Sequence, residues 1–257
     1  MRLKDKVAVV TGAGSGIGRA AALRFAAEGA RVVVSDVNAE AGSAVVEEVV
    51  AAGGRAILIP ADVSNNEDVR RLFAAAVEAF DGVHVLYNNA GVFFKEDGPV
   101  VDLAEATWNR ILAINLTGTF LCCKYGIPAI IASGGGSVIN TSSSAGVIGV
   151  PGCDAYTATK GAIIALTRSL AVEYAPRKVR VNCLVPCAID TPMNRRSAGE
   201  NPNFDEQKFF AVAPTRRYGT PEEVANLALF LASDEAAYAI GGIFVLDGGL
   251  TIMNRSY

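Results

Sequence analysis

The sequence predicts an α/β fold: a single domain built on a doubly wound parallel sheet of about seven strands, with helices on both faces. Three observations carry this. Short β-branched runs recur along the 257 residues, helical stretches separate them, and no linker rich in Pro, Gly or Ser splits the chain. Strands alternating with helices form right-handed βαβ units, the Rossmann type of architecture.

The strand runs are "KVAVVTG" at 6–12, "RVVVSD" at 31–36, "AILIPAD" at 56–62 and "VHVLYNNAG" at 83–91. "GSVINTSS" at 136–143, "KVRVNCLVP" at 178–186 and "GIFVLDGG" at 242–249 follow. Continuous apolar runs suit strands covered on both faces. Helices are expected over 17–28, 40–51, 66–80 and 155–174, with two more within 103–131. Ser64 or Asn65 would cap the third. A last helix over 221–231 opens with Thr220, Pro221 and Glu222: a cap, a proline and an acid. Residues 190–219 lack strong periodicity. They read either as a substrate lid, placed at 192–214, or as a solvated loop with one poorly anchored helix.

Composition narrows the function classes. The chain is 51% hydrophobic and 19% charged, ample for a large core. A net charge of −3 gives no electrostatic case for nucleic acid, and no Lys/Arg run marks a membrane surface. No apolar run is expected to reach the length of a membrane span. The start, "MRLKDKVAVVTG", runs straight into a strand pattern, so no signal peptide is expected. Five cysteines and one histidine show no metal-binding spacing, so no metal is expected. Reduced core cysteines and a cytoplasmic location are the expectation.

"TGAGSGIG" at 11–18 joins the first strand to the first helix. Glycines let a backbone turn tightly against a pyrophosphate, and the helix N-terminus offers free N–H groups and a positive dipole end. Asp36 ends the second strand, where a carboxylate can accept both adenosine ribose hydroxyls and repel a 2′-phosphate. No Arg or Lys stands at Ser15 or Val37 to compensate. NAD is therefore the expected cofactor.

Tyr156 and Lys160 are four residues apart, hence on one helix face. A phenol near pKa ~10 is too weakly acidic to serve as a base at neutral pH. A unit charge about 4 Å away supplies roughly 4 kcal/mol at an effective dielectric near 20, about three pKa units. The pair thus suits a tyrosine base activated by an ammonium.

The glycines at 12, 16 and 18 depart from the commonest dinucleotide spacing. Together with "NNAG" at 88–91 and Tyr156-x-x-x-Lys160, they resemble the short-chain dehydrogenase/reductase family, in its shorter branch. The resemblance covers essentially the whole chain. It implies a secondary-alcohol dehydrogenase that moves a hydride between an alcohol or ketone and nicotinamide. Asn115, Ser143, Tyr156 and Lys160 match the family's catalytic set. By this resemblance Tyr156 is the general acid/base and Ser143 holds the substrate oxygen. By sequence alone Ser142 and Ser144 rival Ser143. Lys160 also binds the nicotinamide ribose, and Asn115 bends its helix and holds a water in a proton relay. The implied cofactor contacts are Gly12, Ser15, Gly16, Ile17, Gly18, Asp36, Asp62, Val63, Asn89, Gly91, Tyr156, Lys160, Pro186, Ile189 and Thr191.

Two positions depart from the family pattern. Cys187 stands where glycine usually follows the proline, and His84 where aspartate usually precedes "VLYNNAG". Cys187 would narrow the nicotinamide end of the pocket; His84 reads as structural. Phe93, Phe94, Ala145, Val147 and the 192–214 segment would line an apolar pocket for an alcohol or ketone. Two rival functions share the fold: a 3-oxoacyl-[acyl-carrier-protein] reductase, which Asp36 argues against, and a nicotinamide-sensing regulator, which has no need of Ser143, Tyr156 and Lys160 together. Helices over 115–131 and 155–174 carry almost no polar outer stripe, so a second copy is expected to cover them. The family resemblance favours a homotetramer.

Overall fold

The structure, a computed structural model, describes residues 1–200 and 205–253. Seven parallel strands form one sheet in the order β3-β2-β1-β4-β5-β6-β7. They are β1 (Val7–Thr11), β2 (Arg31–Ser35), β3 (Arg55–Leu58), β4 (Val85–Asn88), β5 (Gly136–Thr141), β6 (Val179–Pro186) and β7 (Ile243–Leu246). The strand order reverses between β1 and β4. In such sheets the crevice at the carboxyl ends of those two strands receives the ligand.

Alternation along the strands divides the core. Ala8, Val10, Val32, Val34 and Tyr87 face α1 (Gly16–Ala27) and α9 (Pro221–Ala232). Val7, Val9, Val33 and Leu86 face α3 (Asn66–Phe80) and α5 (Gly118–Ala132). α2 (Ala39–Ala51) packs beside α1 and β3. The ends of these helices are chemically marked. Asn65 caps α3 through the N–H groups of Glu67 and Asp68, and so is the cap between the two candidates. Thr220 and Glu223 form a reciprocal capping box on α9.

Residues 103–131 differ from the expected pair of helices. α4 (Glu105–Leu112) runs into α5 without a loop, through a π-helical turn at Ala113–Thr117. The continuous stretch Glu105–Ala132 is long and apolar enough, by length and composition, to cross a membrane, contrary to the expectation from the sequence. Half of its apolar window is buried inside the protein. Residues 190–219 also differ from a loop with one helix. They hold α7 (Pro192–Glu200) and α8 (Glu206–Val212). Phe209 and Phe210 pack on Tyr218 with ring centroids 5.2 and 5.1 Å away, which anchors α8. Residues 201–204 of the expected lid lie outside the described residues.

His84 has a structural role. Its Nδ1 accepts the Val7 N–H at 3.1 Å and so joins the start of β1 to the start of β4. An imidazole can accept there only while neutral. Burial, then Lys6 and Arg31, push its pKa below 6.5. The unfolded chain therefore binds more protons below 6.5, and the stability held by neutral His84 is lost as pH falls through that value. We predict that the thermal midpoint drops between pH 7 and pH 5.5. His84→Asn keeps an acceptor without titrating and should flatten that drop. Matching slopes in the two proteins would refute the role.

Candidate active site

The crevice over β1 and β4 has a volume of about 590 Å³ and is lined by Gly12, Asp36, Asn89, Ser143, Tyr156, Lys160 and Thr191, among others. Its floor is the turn from β1 into α1. Gly12 has φ +61°, and a Cβ there would sit 2.8 Å from the Ala90 Cα. A Cβ on Gly18 would lie 2.1 Å from the Gly12 carbonyl oxygen. These glycines let the first turn of α1 close against the loop. Asn89 fastens the same loop, donating from Nδ2 to the carbonyls of Thr11 and Gly12, both at 3.1 Å. Ser15 is the N-cap of α1, yet its hydroxyl makes no capping bond. A hydroxyl beside the first N–H groups of a helix suits a phosphate.

Asp36 is held in place. Its Oδ2 accepts the Gly14 N–H at 2.8 Å and its Oδ1 the Asn38 N–H at 2.9 Å. Carboxylate oxygens have further lone pairs, so the group remains an acceptor for ribose hydroxyls. Asp62 and Val63 line the same end of the crevice, and Asp62 Oδ1 accepts the Ser64 N–H at 2.9 Å. Glycines beside an uncapped helix start, with a fixed carboxylate on β2, fit a dinucleotide. Ile17, Gly16 and Gly91 also line the crevice.

At the other end, Pro186 closes β6 and Thr191 opens α7. A Cβ on Gly16 would meet Thr191 Cγ2 at 3.3 Å, so α7 begins against the glycine turn. The Ile189 side chain packs into the core at 6% exposure, which leaves its main chain for a cofactor contact.

The reactive groups sit on α6 (Asp154–Tyr174) and at the end of β5. Lys160 Nζ donates to the Thr141 carbonyl at 3.0 Å and lies 5.4 Å from the centre of the Tyr156 ring. Burial lowers the Lys160 pKa to about 8, so the ammonium is still mainly protonated at neutral pH. Burial also pushes the Tyr156 phenol up to about 12, while a hydrogen bond with Ser143 works the other way. Burial of the phenol opposes the lowering that the ammonium is expected to supply.

The three neighbouring serines have different surroundings. Ser142 is buried and donates to the Lys160 carbonyl at 2.7 Å. Ser144 is also buried. Ser143 lines the crevice and bonds Tyr156. Cys187, half-buried, interacts with Ser144, and burial raises its thiol pKa.

Asn115 lies fully buried in the π-helical turn. Its Oδ1 accepts the Val92 N–H at 2.7 Å and its Nδ2 donates to the Val92 carbonyl at 3.0 Å. A Cβ on Gly91 would lie 3.2 Å from Asn115 Oδ1 and 3.5 Å from Lys160 Nζ, so glycine keeps the space between them open. Sequence reasoning did not find Asp97. This buried carboxylate accepts the N–H groups of Ala155 and Tyr156 at 3.1 and 2.8 Å. Its setting, "KEDGPV", reads as a charged surface turn, and its partners are far along the chain.

A family model described as enoyl-(acyl carrier protein) reductase matches residues 12–251. A cyclohexanol dehydrogenase from Acinetobacter sp. (strain SE19) is 40% identical over 250 residues, 97% of this chain and 96% of that protein. The chain is a short-chain dehydrogenase/reductase. A 2,5-dichloro-2,5-cyclohexadiene-1,4-diol dehydrogenase, LinX, from Sphingobium indicum is 42% identical over 251 residues, covering 98% of each chain. The crystal structure of levodione reductase superposes with a TM-score of 0.92 at 36% identity, over 98% of this chain and all of that one. As a member of this family the protein is an oxidoreductase. It exchanges a hydride between a CH–OH group of a small molecule and a nicotinamide cofactor.

The glycine turn gives a direct test of the packing. Gly18→Ala must move the Gly12 carbonyl, and overpacking of this kind costs about 1–3 kcal/mol. The thermal midpoint should fall and NAD(H) binding, read by fluorescence, should weaken. An alanine variant with the parent's midpoint and affinity would contradict the contact.

Proposed function

We propose that the protein is an NAD(H)-dependent dehydrogenase of neutral, apolar, cyclic secondary alcohols, or a reductase of the matching ketones. The observation that carries this reading is the phenol of Tyr156, bonded to Ser143 and facing Lys160, in a crevice whose far end holds Asp36. Phe93 meets the Tyr156 ring edge-on at 5.4 Å, and Phe94, Ile114 and Met193 line the same crevice. Such a wall favours a substrate without charge. The relatives named for cyclohexanol and a cyclohexadiene diol agree in kind.

In oxidation Tyr156 accepts the hydroxyl proton, and in reduction it returns it. Ser143 donates a hydrogen bond to the substrate oxygen and stabilises the alkoxide charge that develops there. Lys160 favours the phenolate and, through the same ammonium, would hold ribose hydroxyls. Asn115 fixes Val92, and its carbonyl, which accepts the Thr119 hydroxyl at 2.8 Å, is the site for a relay water. Gly12, Ser15, Gly16, Ile17 and Gly18 would hold the pyrophosphate; Asp36, Asp62 and Val63 the adenosine; Asn89, Gly91, Pro186, Thr191 and the main chain of Ile189 the nicotinamide half. When bound, the cofactor supplies the carbon that accepts or releases hydride.

α7 borders the crevice through Pro192, Met193 and Arg196, and with α8 it forms the lid of this reading. The outer faces of α5 and α6 frame a second, apolar groove of about 510 Å³ lined by Phe120, Ile127, Leu166 and Leu170. Phe120 is 48% exposed, and Val172 on α6 is 78% exposed. A second copy covering this groove, and another across the edge strand β7, give a homotetramer. A cytoplasmic location belongs to the same reading. A 3-oxoacyl-[acyl-carrier-protein] reductase using NADPH is disfavoured by Asp36.

Three outcomes test this function. Tyr156→Phe should lose at least about 100-fold in kcat, the scale of general acid–base catalysis, while NAD(H) binding persists; turnover near the parent's would defeat the role. A carboxylate about 4 Å from a 2′-phosphate costs on the order of 4 kcal/mol, so kcat/KM should favour NAD(H) by more than about tenfold. Equal use of both cofactors would overturn the Asp36 argument. Light scattering should give four times the 26.7 kDa of one chain, and a stable monomer would refute the assembly.

A further inference from the structure

We propose that Asp97 is a positioning residue that sets the place of Tyr156 by capping α6 from another loop. This rests on the reading of Tyr156 as the acid/base.

Tyr156 is the third residue of α6, so its backbone lies in the unpaired first turn. The helix cannot cap itself. Its N-cap residue, Cys153, makes no side-chain cap bond to the helix; its thiol instead approaches the Val150 carbonyl at 3.3 Å. The cap comes from residues 97–100. Asp97 takes the N–H groups of Ala155 and Tyr156, one on each oxygen, and the Gly98 carbonyl faces the Asp154 N–H at 3.4 Å. The bond is returned, since Asp154 accepts the Val100 N–H at 2.8 Å. Two distant segments therefore cap each other reciprocally.

The other end of this strap is fixed too. Asn115 clamps Val92 by both its N–H and its carbonyl. Between the clamps the strap carries Phe93, whose ring stands at 87° to that of Tyr156. The phenol is thus located from two sides, through its main chain by Asp97 and through its ring by Phe93. Asp97 is 7% exposed, so water does not replace its bonds. A buried anion that accepts backbone N–H groups at a helix start is stabilised by the dipole end it faces. Asparagine is a poor substitute, because its NH₂ would meet one of the two N–H groups, donor against donor.

The charge has its own consequence. The ionisable groups nearest the phenol are Lys160, Cys153 and Cys187, and the carboxylates of Asp97 and Asp154 lie at the start of the helix that carries it. A neighbouring carboxylate disfavours the phenolate, so removing it favours that form.

The test compares Asp97→Asn, Asp97→Glu and Tyr156→Phe in the full chain, with cyclohexanol as probe substrate and NAD(H) affinity read by fluorescence. A misplaced base should lower kcat of Asp97→Asn roughly 10–100-fold, with NAD(H) affinity within about twofold of the parent's. Its kcat–pH profile for oxidation should move down by at least about half a unit. Asp97→Glu keeps the charge at the wrong reach, so kcat should fall while the profile stays with the parent. A purely architectural role would change the thermal midpoint and leave kcat per folded enzyme and the profile untouched, and that result overturns the proposal. If Asp97→Asn does not fold, Asp97→Glu decides, and the parent's kcat in that variant sinks the idea. Full turnover in Tyr156→Phe would instead refute the reading of the base, independently of Asp97.

Discussion

A charged ammonium kept inside the protein is the constraint on which the site depends. Lys160 is 4% exposed, and burial lowers its pKa to about 8, which leaves the charge in place at neutral pH. The Thr141 carbonyl accepts from the ammonium at 3.0 Å. Tyr156 needs that charge, because the same burial holds its phenol near 12. A unit charge about 5 Å from a phenol oxygen contributes on the order of 3 kcal/mol at an effective dielectric near 20, roughly two pKa units toward phenolate.

The rest of the architecture delivers these groups to one crevice. Lys160 takes its carbonyl partner from the end of β5, and Ser142 ties the Lys160 carbonyl back to the same strand end. Asn115 and Asp97 hold the strap after β4, and Asn89 holds the glycine turn after β1. Asn89 and Ser142 sit just past the carboxyl ends of β4 and β5. The buried sheet is the rigid part, and short polar bonds at its rim position flexible loops over it.

Much of this was legible in the sequence, for identifiable reasons. Strands buried on both faces leave unbroken β-branched runs such as "VAVV", and the turn at 11–18 needs glycine at fixed places because of close backbone contacts. Tyr156 and Lys160 announce themselves by helical spacing. Other features depend on tertiary contact and leave little local trace. The π-helical turn around Asn115 kept one helix running where the sequence suggested two, because its distortion is held by side-chain bonds to Val92. α7 and α8 were hidden because their faces meet few core positions, and α8 is anchored by the Phe209, Phe210 and Tyr218 cluster. Asp97 was invisible because its partners lie 58 and 59 residues away. Spacing reveals the proximity of Lys160 to Tyr156 but not the burial of the phenol.

The central claim is that the Lys160 charge makes the Tyr156 phenol a usable base. The direct measurement is the Tyr156 titration, followed by NMR of the protein labelled at tyrosine Cζ, in the parent and in Lys160→Met, which keeps the buried stem and removes the charge. The account predicts that Tyr156 titrates at least about one unit higher in Lys160→Met. The same titration midpoint in both proteins would contradict it.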